Sequence, residues 1–384
     1  MGTAYTPGLK VTKWATVKKI RRLPIKGEVV VKEGDEVEPE TIVARAYLPG
    51  DLTIVHLRRE MGGLEPVELA EAVLVKKGDE VKKGQVIARK KVFFGLFSVK
   101  ALAPVDGVVQ FFSPQSGDLG IQQPPRLLEL NAYIKGRITR VIPEEGVEVT
   151  THGALIQGIF GVGGERQGVI EVVVESPDEP LTLKHLPEDI KGKILVGGSE
   201  VGADVLERAN REGAAGVISG GIVNEELTKF LGYEIGVAIT GQEDINTTVI
   251  VTEGFGRMTM ARRTFELLRS LAGKKASING ATQIRAGAQR PEIIVPLSEE
   301  DVPEEERTEQ DDILVQQLEL GKIVRIIRVP YFGRLAKVVG LPPELREIET
   351  GSKVRLLEAE LLDEKGEPTG ERVTVPRANV EIIG

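Results

Sequence analysis

The chain has 384 residues, a formal net charge of −8 and no cysteine, so disulfides and thiolate chemistry are excluded. Its length predicts about two to four domains, and with only three histidines we expect no metal site and no cofactor. The sequence contains no apolar run that approaches the length of a membrane span, about 20 residues, and no signal-peptide core at the N-terminus. We therefore expect a cytoplasmic protein that does not contact membranes. Abundant Lys, Glu and Arg are compatible with a thermophilic source.

The first predicted elements are strands built on a repeated phrase of eleven residues. Two copies run Gly34-Asp-Glu-Val-Glu-Pro-Glu-Thr-Ile-Val-Ala44 and Gly78-Asp-Glu-Val-Lys-Lys-Gly-Gln-Val-Ile-Ala88, and a degenerate third runs from Gly146 to Ile156 if one residue is inserted. Each predicts a strand, a tight turn, a short strand and a second turn before an apolar strand. Each copy resembles half of a lipoyl/biotinyl-type domain.

That resemblance implies a prosthetic-group lysine on an exposed hairpin, seven residues before an Ala-Pro pair. Ala103-Pro104 fits the pattern, but the residue at the lysine position is Leu96, and Lys100 is predicted to lie within a strand. The flanking Phe93, Phe94 and Phe97 are apolar, whereas a swinging-arm tip is exposed and polar. We therefore expect residues 1–157 to resemble an unmodified barrel-sandwich hybrid, without biotin or lipoate.

From residue 158 to 297 the pattern changes to strands alternating with helices. Strands are predicted at residues 194–198, 215–219, 237–240 and 248–252, with helices at 203–212, 258–271 and from the N-cap Asn224 to Leu231. The sequence thus predicts a small α/β domain with a mostly parallel sheet. Residues 192–218 are similar to swivelling β/α or protease-associated domains.

All four predicted strands of this domain end in loops that contain glycine. In open parallel sheets ligands bind beyond the carboxyl ends of the strands, where glycine lets N–H groups approach an anion. Glycine also simply makes tight turns, and no loop fits a nucleotide-binding motif, so both interpretations stay open. The candidate ligand-binding residues are Gly197, Gly198, Ser199, Ser219, Gly220, Gly221, Gly241, Glu253 and Gly254.

Catalytic patterns are sparse. Glu253, Asp244 and Arg257 are candidates for an acid/base group, and the run from Asn279 to Arg285 is polar and contains a glycine. Its side chains, with Arg290, either bind an anion or pair with surface acids. The segment Gly161-Val-Gly-Gly-Glu165 is similar to a phosphate loop but precedes a predicted strand.

Residues 298–314 are predicted to be an acidic linker. From Glu299 to Asp312 nine acids accompany one base, Arg307, and such a run is typically solvated and extended. The stretch from Lys10 to Lys26 is its opposite, with seven basic residues and no acid.

The last predicted domain covers residues 315–384. The stretch from Gly321 to Val339 resembles a KOW motif, with Gly333, Ala336 in place of the second glycine, and Val338. Strands at 353–361, 372–375 and 380–383 complete a predicted SH3-like (KOW) barrel. The candidate residues for contact with nucleic acid or a protein partner are Lys322, Arg325, Arg328, Tyr331, Phe332, Arg334 and Lys337.

These elements predict a multidomain α+β protein with an N-terminal all-β barrel-sandwich hybrid, a central α/β domain and a C-terminal SH3-like β-barrel. The expected function is a non-enzymatic adaptor or scaffold that docks protein partners, with nucleic acid as a further ligand of the KOW-like domain. The alternative is an enzyme or a binder of a small anionic ligand at the glycine loops. The sequence leaves the oligomeric state and the partner open.

Overall fold

The computed structural model describes residues 9–92, 97–235, 240–283, 289–307, 318–326, 331, 333–347, 353–363 and 366–383. Within these ranges the chain is mostly β, with several sheets and few helices. This agrees at a coarse level with the predicted β-rich, multidomain protein. In the same ranges no helix is long and apolar enough to cross a bilayer.

Residues 9–157 form two β units, one inserted into the other. The outer unit comprises residues 9–48 and 126–157, and the inner unit comprises residues 52–122. The elements of both, in chain order, are β1 (Val11–Arg22), β2 (Glu28–Val29), β3 (Glu36–Val37), β4 (Ile42–Leu48), β5 (Leu52–His56), α1 (Leu57–Glu60), α2 (Pro66–Ala72), β6 (Glu80–Val81), β7 (Val86–Val92), β8 (Phe97–Leu102), β9 (Gly107–Ser113), β10 (Asp118–Gln122), β11 (Arg126–Asn131), β12 (Gly136–Ile142) and β13 (Gly146–Gln157).

The two units have the same strand order. In the inner unit the sheet runs β5-β10-β9-β6, and in the outer unit the corresponding pairings are β1-β13-β12-β3. The inner pair β7–β8 corresponds to β4–β11 of the outer unit. The inner unit therefore replaces the hairpin that would join β4 to β11.

The first two copies of the repeated phrase fold alike, as predicted. Gly34 and Gly78 both have positive φ, and each donates its N–H over 2.8 Å, to the carbonyls of Ile138 and Val109 respectively. The following carboxylates, Asp35 and Asp79, accept backbone N–H groups over 2.8 and 2.9 Å. Because the carboxylate bonds are local and use the same residue types, the repeat favours both turns.

The turns predicted for the third copy of the phrase are not present, so that prediction was wrong. Residues 146–157 form one uninterrupted strand, β13, which pairs with β1 along one edge and with β12 on the other. A methyl group on Gly146 would overlap the carbonyl oxygen of Arg21. This glycine therefore permits close approach of two strands.

The described residues between 160 and 296 form seven strands and three longer helices. The predicted helix at 203–212 and the strands near 194, 216 and 248 are confirmed. The helix predicted at 258–271 is shorter, and the predicted strand at 237–240 falls almost wholly on residues outside the described ranges. Asn224 is the first helical residue and Val223 is the N-cap, so that prediction was wrong by one position. The elements are β14 (Phe160–Val162), β15 (Glu165–Val172), β16 (Lys193–Val196), α3 (Ala203–Glu212), β17 (Gly216–Ile222), α4 (Asn224–Leu231), β18 (Thr248–Phe255), α5 (Arg262–Ser270), β19 (Lys275–Asn279) and β20 (Glu292–Pro296).

The sheet of this region is mixed rather than mostly parallel. Strands β15, β16, β17 and β18 are parallel neighbours, whereas β14, β19 and β20 join them antiparallel. Strand β20 also pairs with β13. One sheet of eleven strands therefore runs from the outer unit through the α/β region.

The basic stretch from Lys10 to Lys26 and the acidic segment from Glu299 onward both form ion pairs with other parts of the chain. Strand β1 carries most of the basic stretch, and its Lys19 and Arg21 pair with Glu292 and Glu165 over 2.5 and 2.6 Å. In the acidic segment Val302 is buried in the main core, and Asp301 pairs with Lys274 over 2.7 Å. Residues 298–307 are thus docked rather than extended, and residues 308–314 lie outside the described ranges.

The C-terminal region forms a six-stranded sheet with its own core. Its order is β23-β24-β22-β21-β26, and β25 also pairs with β24. The predicted strands near residues 353–361 and 372–375 pair antiparallel, and the predicted closing strand near residue 380 is present. The strands are β21 (Ile323–Ile326), β22 (Leu335–Gly340), β23 (Leu345–Glu347), β24 (Lys353–Leu362), β25 (Pro368–Pro376) and β26 (Val380–Ile383).

Candidate functional site

Eight of the nine predicted ligand-binding residues lie together at the carboxyl edge of the parallel strands. Their hydrogen-bonding groups are largely used within the protein: Gly220 and Gly221 donate to the carbonyls of Gly198 and Ser199 over 2.7 Å. The Ser219 hydroxyl donates to the carbonyl of Gly221 over 2.8 Å. These donors are therefore not directed at an external anion.

The space beside these glycines is also filled by backbone. A methyl group on Gly198 would overlap the carbonyl of Glu179, and one on Gly220 or Gly221 would overlap the carbonyls of Met258 or Gly256. Glycine is thus required here because chain segments cross closely. This arrangement favours the turn-and-packing interpretation of the loops.

Glu253 and Gly254 contact the C-terminal sheet. One carboxylate oxygen of Glu253 accepts the N–H of Ala261 over 3.0 Å, and the other pairs with the Arg325 guanidinium over 3.0 Å. Gly254 lies against the backbone of Gly333, and Gly333 in turn lies over the ring of Phe255. The part of the edge formed by Glu253 and Gly254 is therefore covered by the turn at Gly333.

The candidate residues on the C-terminal sheet are dispersed. Arg325 is only 2% exposed, Arg334 lies 3.8 Å from Glu371, and Lys337 is the register partner of Glu360. Lys322 and Tyr331 are partly buried, while Arg328 and Phe332 lie outside the described residues. Arg325 in particular faces inward, so it cannot contact phosphate in this arrangement.

Gly241, the ninth predicted residue, lies at the opposite edge of the sheet. Its N–H and that of Gly163 both donate to Oε2 of Glu243, over 2.8 and 2.7 Å. The phosphate-loop-like segment 161–165 thus supplies one of two N–H donors around an anion, and the anion is a side chain of the same protein.

Buried threonines surround this second glycine cluster. The hydroxyl of Thr240 donates to the carbonyl of Gly161 over 2.7 Å, and the hydroxyl of Thr282 accepts the N–H of Gly161 over 3.0 Å. Sequence reasoning did not identify Glu243 or these threonines. The signal was the recurrence of threonine beside glycine, in Thr240-Gly241 and Gly280-Ala-Thr282.

The candidate acid/base residues are not brought together. Glu253 is at the carboxyl edge, Asp244 follows Glu243 at the other edge, and Arg257 pairs with Glu200 over 2.5 Å. Gln283 pairs with Gln289 through the backbone, and Arg285 lies outside the described residues. Over the described ranges there is also no group of three or more potential metal ligands.

A buried polar cluster joins the outer unit to the α/β region. The Tyr133 hydroxyl donates to Glu292 over 3.3 Å, and the Arg21 guanidinium lies 5.3 Å from the centre of the Tyr133 ring. Burial, reinforced by the negative charge of Glu292, raises the pKa of Tyr133 well above its ordinary value. Because the ring is inaccessible to solvent, the cluster is suited to fixing the seam between the two parts.

One cavity of about 170 Å³ lies beside this seam. Three lysines line it, but each pairs with an acid: Lys135 with Glu38, Lys274 with Asp301 and Lys275 with Glu40. The basic groups are therefore balanced, and the cavity has no net positive charge to attract an anion.

No protein-family model matches the sequence, and no curated protein is detectably similar to it.

Proposed function

We propose that this chain is a non-enzymatic adaptor or scaffold that docks protein partners through its N-terminal β units. The observation that carries the proposal is the distribution of exposed apolar side chains. Of the eighteen large apolar side chains that are exposed in the described residues, twelve lie between Ile20 and Leu127. Concentrated exposed apolar surface is typical of protein-interaction sites.

Within this region one pair is especially suited to docking. Tyr47 on β4 and Leu127 on β11 are register partners, so their side chains share one face of the sheet. They are 68% and 48% exposed. Tyrosine is enriched at interfaces because it offers a large apolar ring and a polar hydroxyl.

The proposal also assigns a fold to the N-terminal β units and to the C-terminal sheet. The equivalent hydrogen bonds at Gly34 and Gly78 support two nested barrel-sandwich hybrids, and the strand order around Gly333 supports an SH3-like barrel of KOW type. Both folds serve as docking modules without a reaction of their own. The filled carboxyl edge of the α/β sheet supports this function over the alternative of an enzyme or small-anion binder.

Nucleic acid is the less favoured ligand of the KOW-like domain. Inward-facing Arg325 and the pairing of Arg334 with Glu371 leave fewer basic groups for phosphate contacts. Strong binding to nucleic acid depends on several such contacts and declines steeply with salt.

The test is affinity capture from the native organism, quantified by mass spectrometry with and without nuclease. The informative variant is Tyr47→Ser with Leu127→Ser, and its matched control is Tyr233→Ser with Leu183→Ser, another exposed Tyr and Leu. We expect the first variant to lose proteins that wild type and control retain, with or without nuclease.

Equal capture by all three proteins would contradict docking at this pair. Loss of every captured protein on nuclease treatment would instead favour a nucleic-acid function. An anionic metabolite that stabilises the full chain by about 2.7 kcal/mol at about 100 times its dissociation constant would favour the small-ligand alternative.

A further inference from the structure

Within the described part of the chain, strand β5 of the inner unit has one unpaired edge. It ends the four-stranded sheet and pairs with β10 in a register without shifts, from Leu52 opposite Gln122 to His56 opposite Asp118. The Gln123 N–H donates to the carbonyl of Asp51 over 3.0 Å. Since bonded and non-bonded positions alternate along antiparallel strands, the backbone groups of Leu52, Ile54 and His56 point away from β10.

This edge lacks the features that protect other edges from pairing. Proteins protect edge strands with charged side chains, proline, bulges or very short length. Among the described strands of four or more residues that end a sheet, β5 alone has no Lys, Arg, Asp, Glu or Pro. Its Leu52 and Ile54 side chains are both 47% exposed.

The residues around β5 make it complementary to a second copy of itself. Asp51 precedes the strand, and Arg58 and Arg59 follow it. Arg58 and Arg59 lie in α1, and the Arg58 guanidinium donates to the carbonyls of Pro114 and Gln115. If two copies pair antiparallel about Ile54, Asp51 of each copy is therefore directed toward the basic start of α1 in the other. A parallel pair would instead place acid beside acid, so charge favours the antiparallel arrangement.

The exposed face of the sheet continues this complementarity. Ile54 is opposite Gly120, and Gly120 is opposite Phe111, whose ring covers the glycine. Antiparallel pairing about Ile54 would join these residues to their counterparts in the second copy. The result is one apolar band across the two sheets.

We propose that β5 is the interface of a symmetric homodimer, in which two inner-unit sheets join into one. The ladder would add about six backbone hydrogen bonds, two at each bonded pair. Because the ladder involves only five residues of each copy, we expect it to bury less than the about 1,200 Å² typical of tight complexes, so the dimer is weak and depends on concentration. The dimer does not depend on the proposed docking function, because its two partners are the same chain.

The first test is sedimentation velocity of the purified full chain from about 1 µM to about 200 µM. We expect wild type to shift from monomer to dimer, Ile54→Lys to remain monomeric because two like charges meet at the symmetry axis, and Leu102→Lys to behave as wild type. Leu102 is a matched control, since it is 48% exposed on a strand of the same unit. Mixing Ile54→Lys with Ile54→Glu should restore dimers, because opposite charges then meet.

A second test keeps the proposal falsifiable if the lysine variant unfolds. The chain has no cysteine, so Ile54→Cys places a single thiol at the axis, where Cα atoms about 5.5 Å apart allow a disulfide. We expect covalent dimers to form at least about ten times faster than for Leu102→Cys, because pairing raises the effective thiol concentration.

A wild-type chain that stays monomeric throughout would overturn the proposal, and so would equal cross-linking of the two cysteine variants. Dimers that persist in Ile54→Lys would assign the interface to another surface. A monomer that binds extended peptides at β5 would identify the edge as a site for a different partner, which also overturns the dimer.

Discussion

The ion pair between Arg325 and Glu253 should hold the C-terminal sheet against the α/β region, and a double-mutant cycle can measure this. Replacing Glu253 with Gln leaves the guanidinium of Arg325 buried without its carboxylate, at a cost of about 2–4 kcal/mol. Replacing Arg325 with Met costs less, about 1–2 kcal/mol, because the remaining carboxylate is more exposed and keeps the Ala261 N–H at the start of α5.

Hydrogen exchange of the amides in β21 and β22 reports the opening of the C-terminal sheet by itself. Amides in β9 and β10 of the inner unit provide the control and should be unaffected. We expect the double variant to lose less stability than the sum of the two single changes, with a coupling of about 1–2 kcal/mol. Additive effects within about 0.5 kcal/mol would show that the pair does not hold the two regions together.

Three other predictions follow from the sequence and the fold. Natively expressed protein should show the mass of the unmodified chain, since Leu96 lies at the modified lysine's position; an added mass of biotin or lipoate would contradict this. In denaturant unfolding, Gly146→Ala should destabilise by about 1–3 kcal/mol because its methyl group meets the carbonyl of Arg21. The loss should exceed that of Gly273→Ala, where the space is open and only the positive φ opposes the methyl group. The hydrogen bond from Lys274, with those from Ser298, lowers the pKa of Asp301. Stability from this group is therefore present above its unfolded pKa of about 4 and is lost as pH falls below that value. Asp301→Asn should reduce the dependence of the melting temperature on pH between about pH 4 and pH 2. An unchanged slope would contradict the assignment.

Local patterns were readable from the sequence where local bonds decide the structure. The turns at Gly34 and Gly78 need a residue with positive φ, followed by a side chain that accepts the N–H of the residue three positions before it, and Gly-Asp supplies both. The helix from Ala203 to Glu212 was likewise predicted from apolar spacing alone.

Long-range contacts were not readable in the same way. Gly146 begins a copy of the phrase, but pairing with β1 and β12 makes the segment one strand. The sequence also did not reveal that Arg325 is buried, because the group that covers it comes from β18, about seventy residues earlier. For the same reason, chain order placed Gly241 with the other glycine loops, although it folds to the opposite edge of the sheet.

The insertion of one β unit within another has a consequence for the order of folding. Strands β4 and β11 are neighbours in the sheet, but the entire inner unit separates them in the chain, so a ribosome must complete the inner unit before the outer one can close. The inner unit contains its own core and needs no later residue for its own strand pairings. Once it folds, it brings its two ends together, as the bond from Gln123 to Asp51 shows. Once the inner unit has formed, pairing β4 with β11 closes a short loop instead of a long one. The entropic cost of closing the outer unit is therefore lower.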